Sequence, residues 1–180
     1  MKQALLVIDV QNDYFPNGRM ELNKPQEALD KINELENHFL KANQPIIYIQ
    51  HVKHGANATF FEVGTHGVKL HSKLKRQADS IVIEKHFPNS FYRTTLESTL
   101  YALGVEQLVI CGMMTHMCVD STTRASKELQ FEPILISDAT ATRDLVLDGI
   151  KVKAEDVQTS FLAALSNFAL VSSTDNFIQR

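Results

Sequence analysis

With 180 residues, 44% of them hydrophobic and 22% charged, the chain has the composition of an ordinary soluble globular domain. A net charge of −3 and a pI near 6.1 leave no electrostatic footprint for nucleic acid or an anionic membrane, and the one basic cluster, Lys69 to Arg76, reads as a solvated face. The only two cysteines, Cys111 and Cys118, sit in elements that should diverge, so they make a poor disulfide and suit a reducing, cytoplasmic setting.

The first apolar run, residues 4–8, starts almost at the N-terminus and meets a charge at Asp9, which suits a buried strand and neither a secretion signal nor a membrane-spanning helix. A helical pattern over 26–42 follows, then a second apolar run over 45–49. Residues 51–76 are irregular, with three glycines and the pair Phe60-Phe61, and a stretch of that length in a compact domain is usually functional. It is expected to wall the site. Further apolar runs at 80–83, 107–110, 133–136 and 168–171 alternate with helical patterns at 94–103, 117–129 and 154–167. The runs are nearly continuous rather than alternating, as in parallel strands covered on both faces. The expectation is therefore a single α/β domain over 1–180, three-layer α/β/α, with a mainly parallel, Rossmann-like six-stranded sheet. The turn after the first run, "DVQNDYFPNG", has no glycine-rich approach to a pyrophosphate, which excludes a dinucleotide site.

In an open α/β sheet, ligands sit beyond the carboxyl ends of the strands. Three such ends carry chemistry: Asp9, then Glu84-Lys85-His86, then the passage through Gly112 to Cys118 in "GMMTHMCVDSTTRAS". A carboxylate ending a buried run needs a partner, and Lys85 can supply one. If Thr115 caps the following helix, Cys118 falls in its first turn, where free N–H groups stabilise a thiolate. Asp9 can then take the thiol proton, Lys85 keeps Asp9 ionised, and the N–H groups of the turn face an oxyanion. Taken singly, each residue has a plainer reading: a buried hydrophobe for either cysteine, a turn former for Asp9, a surface charge for Lys85. His116, two residues before Cys118, should point elsewhere.

Order and spacing together say more. The segments "LLVIDVQNDYF", "FEVGTHGVKLHSKL", "VIEKHFPNSFYRTTLESTL", "LVICGMMTHMCVDSTTRAS" and "ILISDATATRD" cover nearly the whole chain. They resemble the isochorismatase-like cysteine hydrolases, the superfamily of nicotinamidases, N-carbamoylsarcosine amidase, ureidoacrylate amidohydrolases and streptothricin hydrolase. The resemblance implies Asp9 as acid/base, Lys85 as the lysine of a triad and Cys118 as nucleophile. It also implies a cis Met113–Met114 peptide and an oxyanion hole from the backbone N–H groups of Met114 and Cys118. Tyr14, Gln11, Phe91 and His51 are the expected pocket residues. Gln50 stands where nicotinamidases carry a metal-binding aspartate, so no metal and no cofactor are expected and His51 and His54 read as polar pocket residues. The implied activity is hydrolysis of a small-molecule amide or other C–N bond through a cysteine thioester, in a homo-oligomer. Two alternatives are vinyl-ether hydrolysis of the isochorismatase type, with Cys118 a bystander, and a silent α/β binding module.

Overall fold

In the first strand, β1 (Gln3–Ile8), every side chain from Ala4 onward is buried, as a strand covered on both faces requires. Successive side chains alternate between two cores. Leu5 and Val7 join the cluster built on α1 (Pro25–Lys41) through Leu29, Ile32 and Phe39. Ala4, Leu6 and Ile8 join the cluster that holds α2 (Leu96–Ala102) and α4 (Ala154–Leu165) through Leu96, Leu100 and Leu165. Two helical layers thus enclose one sheet. The structure, a computed structural model, describes residues 1–55 and 58–179.

The sheet is fully parallel. β1 lies between β2 (Ile46–His51) and β4 (Gln107–Met113); β3 (Ile81–Lys85) pairs outside β2, and β5 (Glu132–Ala141) and β8 (Leu170–Ser172) extend the other side. The order is therefore β3-β2-β1-β4-β5-β8, and the chain reverses its direction of travel across the sheet between β1 and β4. That reversal opens a crevice above the carboxyl ends of the two strands. Asp9 follows β1, and Cys118 follows β4 by five residues.

At the floor of this crevice Ile8 is paired with Gly112, whose φ of +120° is closed to most side chains and whose Cβ, if present, would meet the Ile8 backbone. A second glycine, Gly67, lets its loop lie on the buried Asp13 carboxylate. That carboxylate accepts from Arg19 N–H (3.1 Å) and Phe61 N–H (2.7 Å), joining two loops.

The fold class is the expected one, and each of the six apolar runs overlaps a sheet strand, the last, 168–171, only through Leu170 and Val171. Three features differ from the sequence reading. The helix expected from residue 117 is preceded by a wide π turn over Thr115–Val119, and the α-helix proper, α3, spans Asp120–Glu128. A short helix, α5 (Thr174–Ile178), follows β8 and is capped by the Ser173 hydroxyl accepting from Asn176 N–H. An antiparallel hairpin, β6 (Leu145–Leu147) and β7 (Ile150–Val152), turns through Asp148-Gly149, both at positive φ. The Asp-Gly pair is the sequence signal for such a turn.

Candidate active site

Three strand ends bring Asp9, Lys85 and Cys118 together. Asp9 breaks from the ladder with a left-handed φ of +51°, uncommon for a residue with a side chain. Its Oδ2 lies 3.0 Å from Lys85 Nζ, both side chains wholly enclosed. Lys85 Nζ also donates to the Pro88 carbonyl at 2.7 Å. The 88–90 segment is fixed in turn by α3: Ser90 N–H donates to Thr122 Oγ1 (3.0 Å), and Thr122 Oγ1 donates to Ser90 Oγ (2.9 Å). Thr122 lies four residues beyond Cys118, so the continuous π turn and α3 position both the thiol and the lysine's support.

His51, at the end of β2, completes the cluster. Its Nδ1 is 3.7 Å from Asp9 Oδ2 and 3.8 Å from Cys118 Sγ. The sequence reading placed His51 in the pocket; in the structure it sits against the sulfur. His54 does not follow it: its ring lies outside, beside Glu84 and His86.

Electrostatics separate the roles of the three groups. Burial pushes the Asp9 carboxyl up, but Lys85 foremost, then His51 and the Cys118 thiol, outweigh it and hold Asp9 below its ordinary range. Burial pushes the Cys118 thiol far above its ordinary range, the adjacent Asp9 carboxylate adds to this, and Lys85 offsets only part. Both directions favour the proton on sulfur and the charge on Asp9. This corrects the expectation of a resting thiolate at a helix N-terminus. Its premise also changes: Thr115 is not a cap but the first residue of the π turn, and its hydroxyl donates to Gln158 Oε1 at 2.7 Å.

The Met113–Met114 peptide is cis. In the turn beyond it, Met117 N–H and Val119 N–H both donate to the Met114 carbonyl, at 3.0 and 3.2 Å. The N–H groups of Met114 and Cys118 lie outside that pattern.

Among the expected pocket residues, Tyr14 is buried and packs on Phe61 (ring centroids 4.6 Å apart); burial foremost, with the nearby Asp9 carboxylate, raises its phenol well above its ordinary pKa. Gln11 is corrected. Its amide N–H₂ donates to the carbonyls of His51 (2.9 Å) and Val68 (2.7 Å), while its oxygen accepts from His51 N–H (2.8 Å). It clamps the 51–76 stretch to the segment after β1, wholly buried and with both amide protons used within the protein. Phe91 is also corrected: its ring stacks on Phe131, just before β5, and so packs in the helical layer at the far end of the sheet. His116 turns to Thr142 Oγ1 (2.5 Å), and burial lowers its pKa to about 4, leaving it neutral and apart from the thiol.

The sequence reading missed Lys53, whose ammonium lies 3.4 Å from the centroid of the Phe60 ring and whose pKa is lowered by burial against the opposing pull of the Asp9 carboxylate. With Phe60 and Phe61 it forms the wall contributed by the irregular stretch. A cleft of about 360 Å³ opens nearby between α1, the end of β5 and α4, but Cys118 is not among its lining residues. Nor does the end of β2 fit the metal site of nicotinamidases: the Gln50 amide donates to the Val68 carbonyl (2.9 Å), and His51 is turned inward to the thiol.

A parallel sheet of this order with an acid, a lysine and a cysteine at its switch point defines an α/β domain of the isochorismatase-like type, and comparison with known proteins agrees. A family model described as "Isochorismatase domain" matches residues 3–176. An isochorismatase family protein of Bacillus subtilis, YddQ, is 42% identical over 99% of this chain and 100% of its own length. The streptothricin hydrolase of Streptomyces noursei is 31% identical over 93% of this chain and 57% of its own. The solved structure of an isochorismatase hydrolase from Oleispira antarctica superposes with a TM-score of 0.95 at 37% identity, covering 99% of this chain and 97% of that one. The chain belongs to the isochorismatase family.

Proposed function

We propose that the protein hydrolyses the C–N bond of a small-molecule amide through a thioester on Cys118. One observation carries the reading: the Asp9 carboxylate, 3.0 Å from Lys85 Nζ, shares a buried cluster with the Cys118 thiol and with His51, whose Nδ1 lies 3.7 Å from Asp9 Oδ2 and 3.8 Å from Cys118 Sγ. As Sγ attacks the substrate carbonyl carbon, Asp9 takes the thiol proton, so sulfur reacts as thiolate only when substrate is present. The Met114 and Cys118 N–H groups donate to the oxyanion. Collapse breaks the C–N bond as Asp9 returns the proton to the departing nitrogen. Water then attacks the thioester, Asp9 accepts its proton, and sulfur leaves with that proton to restore the thiol. Tyr14, Phe61 and Lys53 border the substrate, and the activity requires no cofactor.

The vinyl-ether alternative requires Asp9 to rest as an acid, and a carboxyl held below its ordinary range speaks against that. A relative named as streptothricin hydrolase supports hydrolysis. The test is a screen of primary and substituted amides followed by trapping of the acyl-enzyme by intact-mass spectrometry. A covalent adduct on Cys118, lost in Cys118→Ala, is the expected result. Turnover that persists in Cys118→Ala would sink the thioester mechanism.

We further place the protein in the cytoplasm as a homo-oligomer. Both cysteines are free, and among the described residues no helix is long and apolar enough to cross a membrane. The β6–β7 hairpin exposes Val146, Leu147 and Ile150 by 67%, 76% and 70%, an apolar arm suited to a second copy. Sedimentation velocity should show Leu147→Asp shifting the protein to a smaller species. An unchanged coefficient would move the interface elsewhere.

A further inference from the structure

We propose that His54, Glu84 and His86 form a binding site for a divalent transition metal on the outer face of the β3 end. The inference is independent of the hydrolytic reading. In an extended strand successive side chains point to opposite faces, so Glu84 faces outward where Lys85 faces in, and His86, the first residue beyond β3, is exposed beside it. His54, three residues past the end of β2, closes on them from the neighbouring strand's extension. Its Nε2 is 4.0 Å from Glu84 Oε1, and His86 Nε2 is 3.6 Å from the same oxygen. One ligand atom from each of the three residues falls within 4.8 Å of the others. Around a tetrahedral zinc, ligand atoms stand roughly 3.4 Å apart, given bonds of about 2.1 Å. Small rotations of three exposed side chains close the difference.

A second observation shows that one ring is already oriented for the task. His86 Nδ1 lies 2.9 Å from the Val52 carbonyl oxygen. A carbonyl can only accept, so Nδ1 carries the proton and, in the neutral ring, Nε2 presents a lone pair toward Glu84. Metal-binding histidines are commonly fixed by such a bond from the other ring nitrogen. The donor set of two imidazoles and one carboxylate suits Zn²⁺, Co²⁺ or Ni²⁺ and is poor for Mg²⁺ or Ca²⁺. Solvent would supply the remaining position.

A metal there would tie the start of the 51–76 stretch to β3. Lys53, next to His54, is the residue whose ammonium lies over the Phe60 ring, so the tie falls directly behind one wall of the candidate active site.

The experiment is calorimetric titration of zinc chloride into the full-length protein, with Co²⁺ absorbance as a second reporter. One equivalent should bind, raise the thermal midpoint and give the visible bands of nitrogen-ligated Co²⁺. Each of His54→Ala, Glu84→Gln and His86→Ala should weaken binding at least tenfold, while His71→Ala and Cys118→Ala should bind as the parent does. All five substitutions need native circular dichroism to count. Binding lost in Cys118→Ala but kept in His86→Ala would put the metal at the buried Asp9–His51–Cys118 cluster and overturn the assignment. Parent binding no stronger than that of the triple variant His54→Ala/Glu84→Gln/His86→Ala would overturn it too.

Discussion

On the inner side of the β3 end Lys85 is wholly enclosed against Asp9, whereas on the outer side Glu84 is about half exposed beside His54 and His86. One peptide unit separates the two environments. Removing one partner of the inner pair is costly because it leaves the other charge buried and unpaired, whereas the outer cluster is solvated and contributes little until a cation joins it. Period-two alternation thus places strong and weak electrostatics on adjacent residues, and substitutions along one strand should separate them.

The largest effect falls at the sulfur. Cys118→Ala should lower kcat by about 10⁴-fold or more, as removal of a nucleophile does, while Cys111→Ala should keep activity because that thiol is buried in the core with its Sγ on the Leu6 carbonyl at 3.6 Å. Steady-state kinetics on any amide found in the screen would compare them. Next comes Lys85→Met, which strands a buried carboxylate and should cost about 3–5 kcal/mol in urea unfolding. Asp9→Asn/Lys85→Met should recover part of that loss, and no recovery would mean that the pair is not what the lysine stabilises.

A pH series sharpens the contrast further. Asp9 is held below its ordinary value of 3.8, so the stability from its pairing is complete above that pH and fades as pH falls through the lower folded value. Cys118 is raised above its ordinary 9.0, so its alkylation by iodoacetamide should show no step as pH rises through 9, while unfolded protein reacts with an ordinary thiol profile. A native step near or below neutrality, read by peptide mass spectrometry, would mean a resting thiolate. The smallest effect is expected at Glu84→Gln, within about 0.5 kcal/mol of the parent without metal.

Much of this was legible in the sequence. Continuous apolar runs gave the parallel sheet, since both faces of each strand are covered, and charges at the ends of those runs marked Asp9 and Lys85. The remainder depended on which way side chains turn. His51 and His54 look equivalent in "QHVKH", yet β2 ends between them and they diverge to opposite sides of the β3 terminus. Gln11 is a pocket residue by the family resemblance, but only the folded loop supplies the two carbonyls that occupy its amide. The thiol's protonation state was out of reach as well, because burial rather than helix position dominates it. Lys53 carried no local signal at all; its place over Phe60 comes from the loop's return.

Gly112 has no functional group, yet it fixes how near the acid and the sulfur can come. With Ile8 directly across from it, any larger residue would wedge β1 from β4 beneath both groups. Mutational tolerance should therefore be lowest at a position that no reaction scheme would name. A library randomised at residue 112 and selected for turnover would return glycine alone, and no compensating change elsewhere could restore the spacing, because the obstruction is main chain.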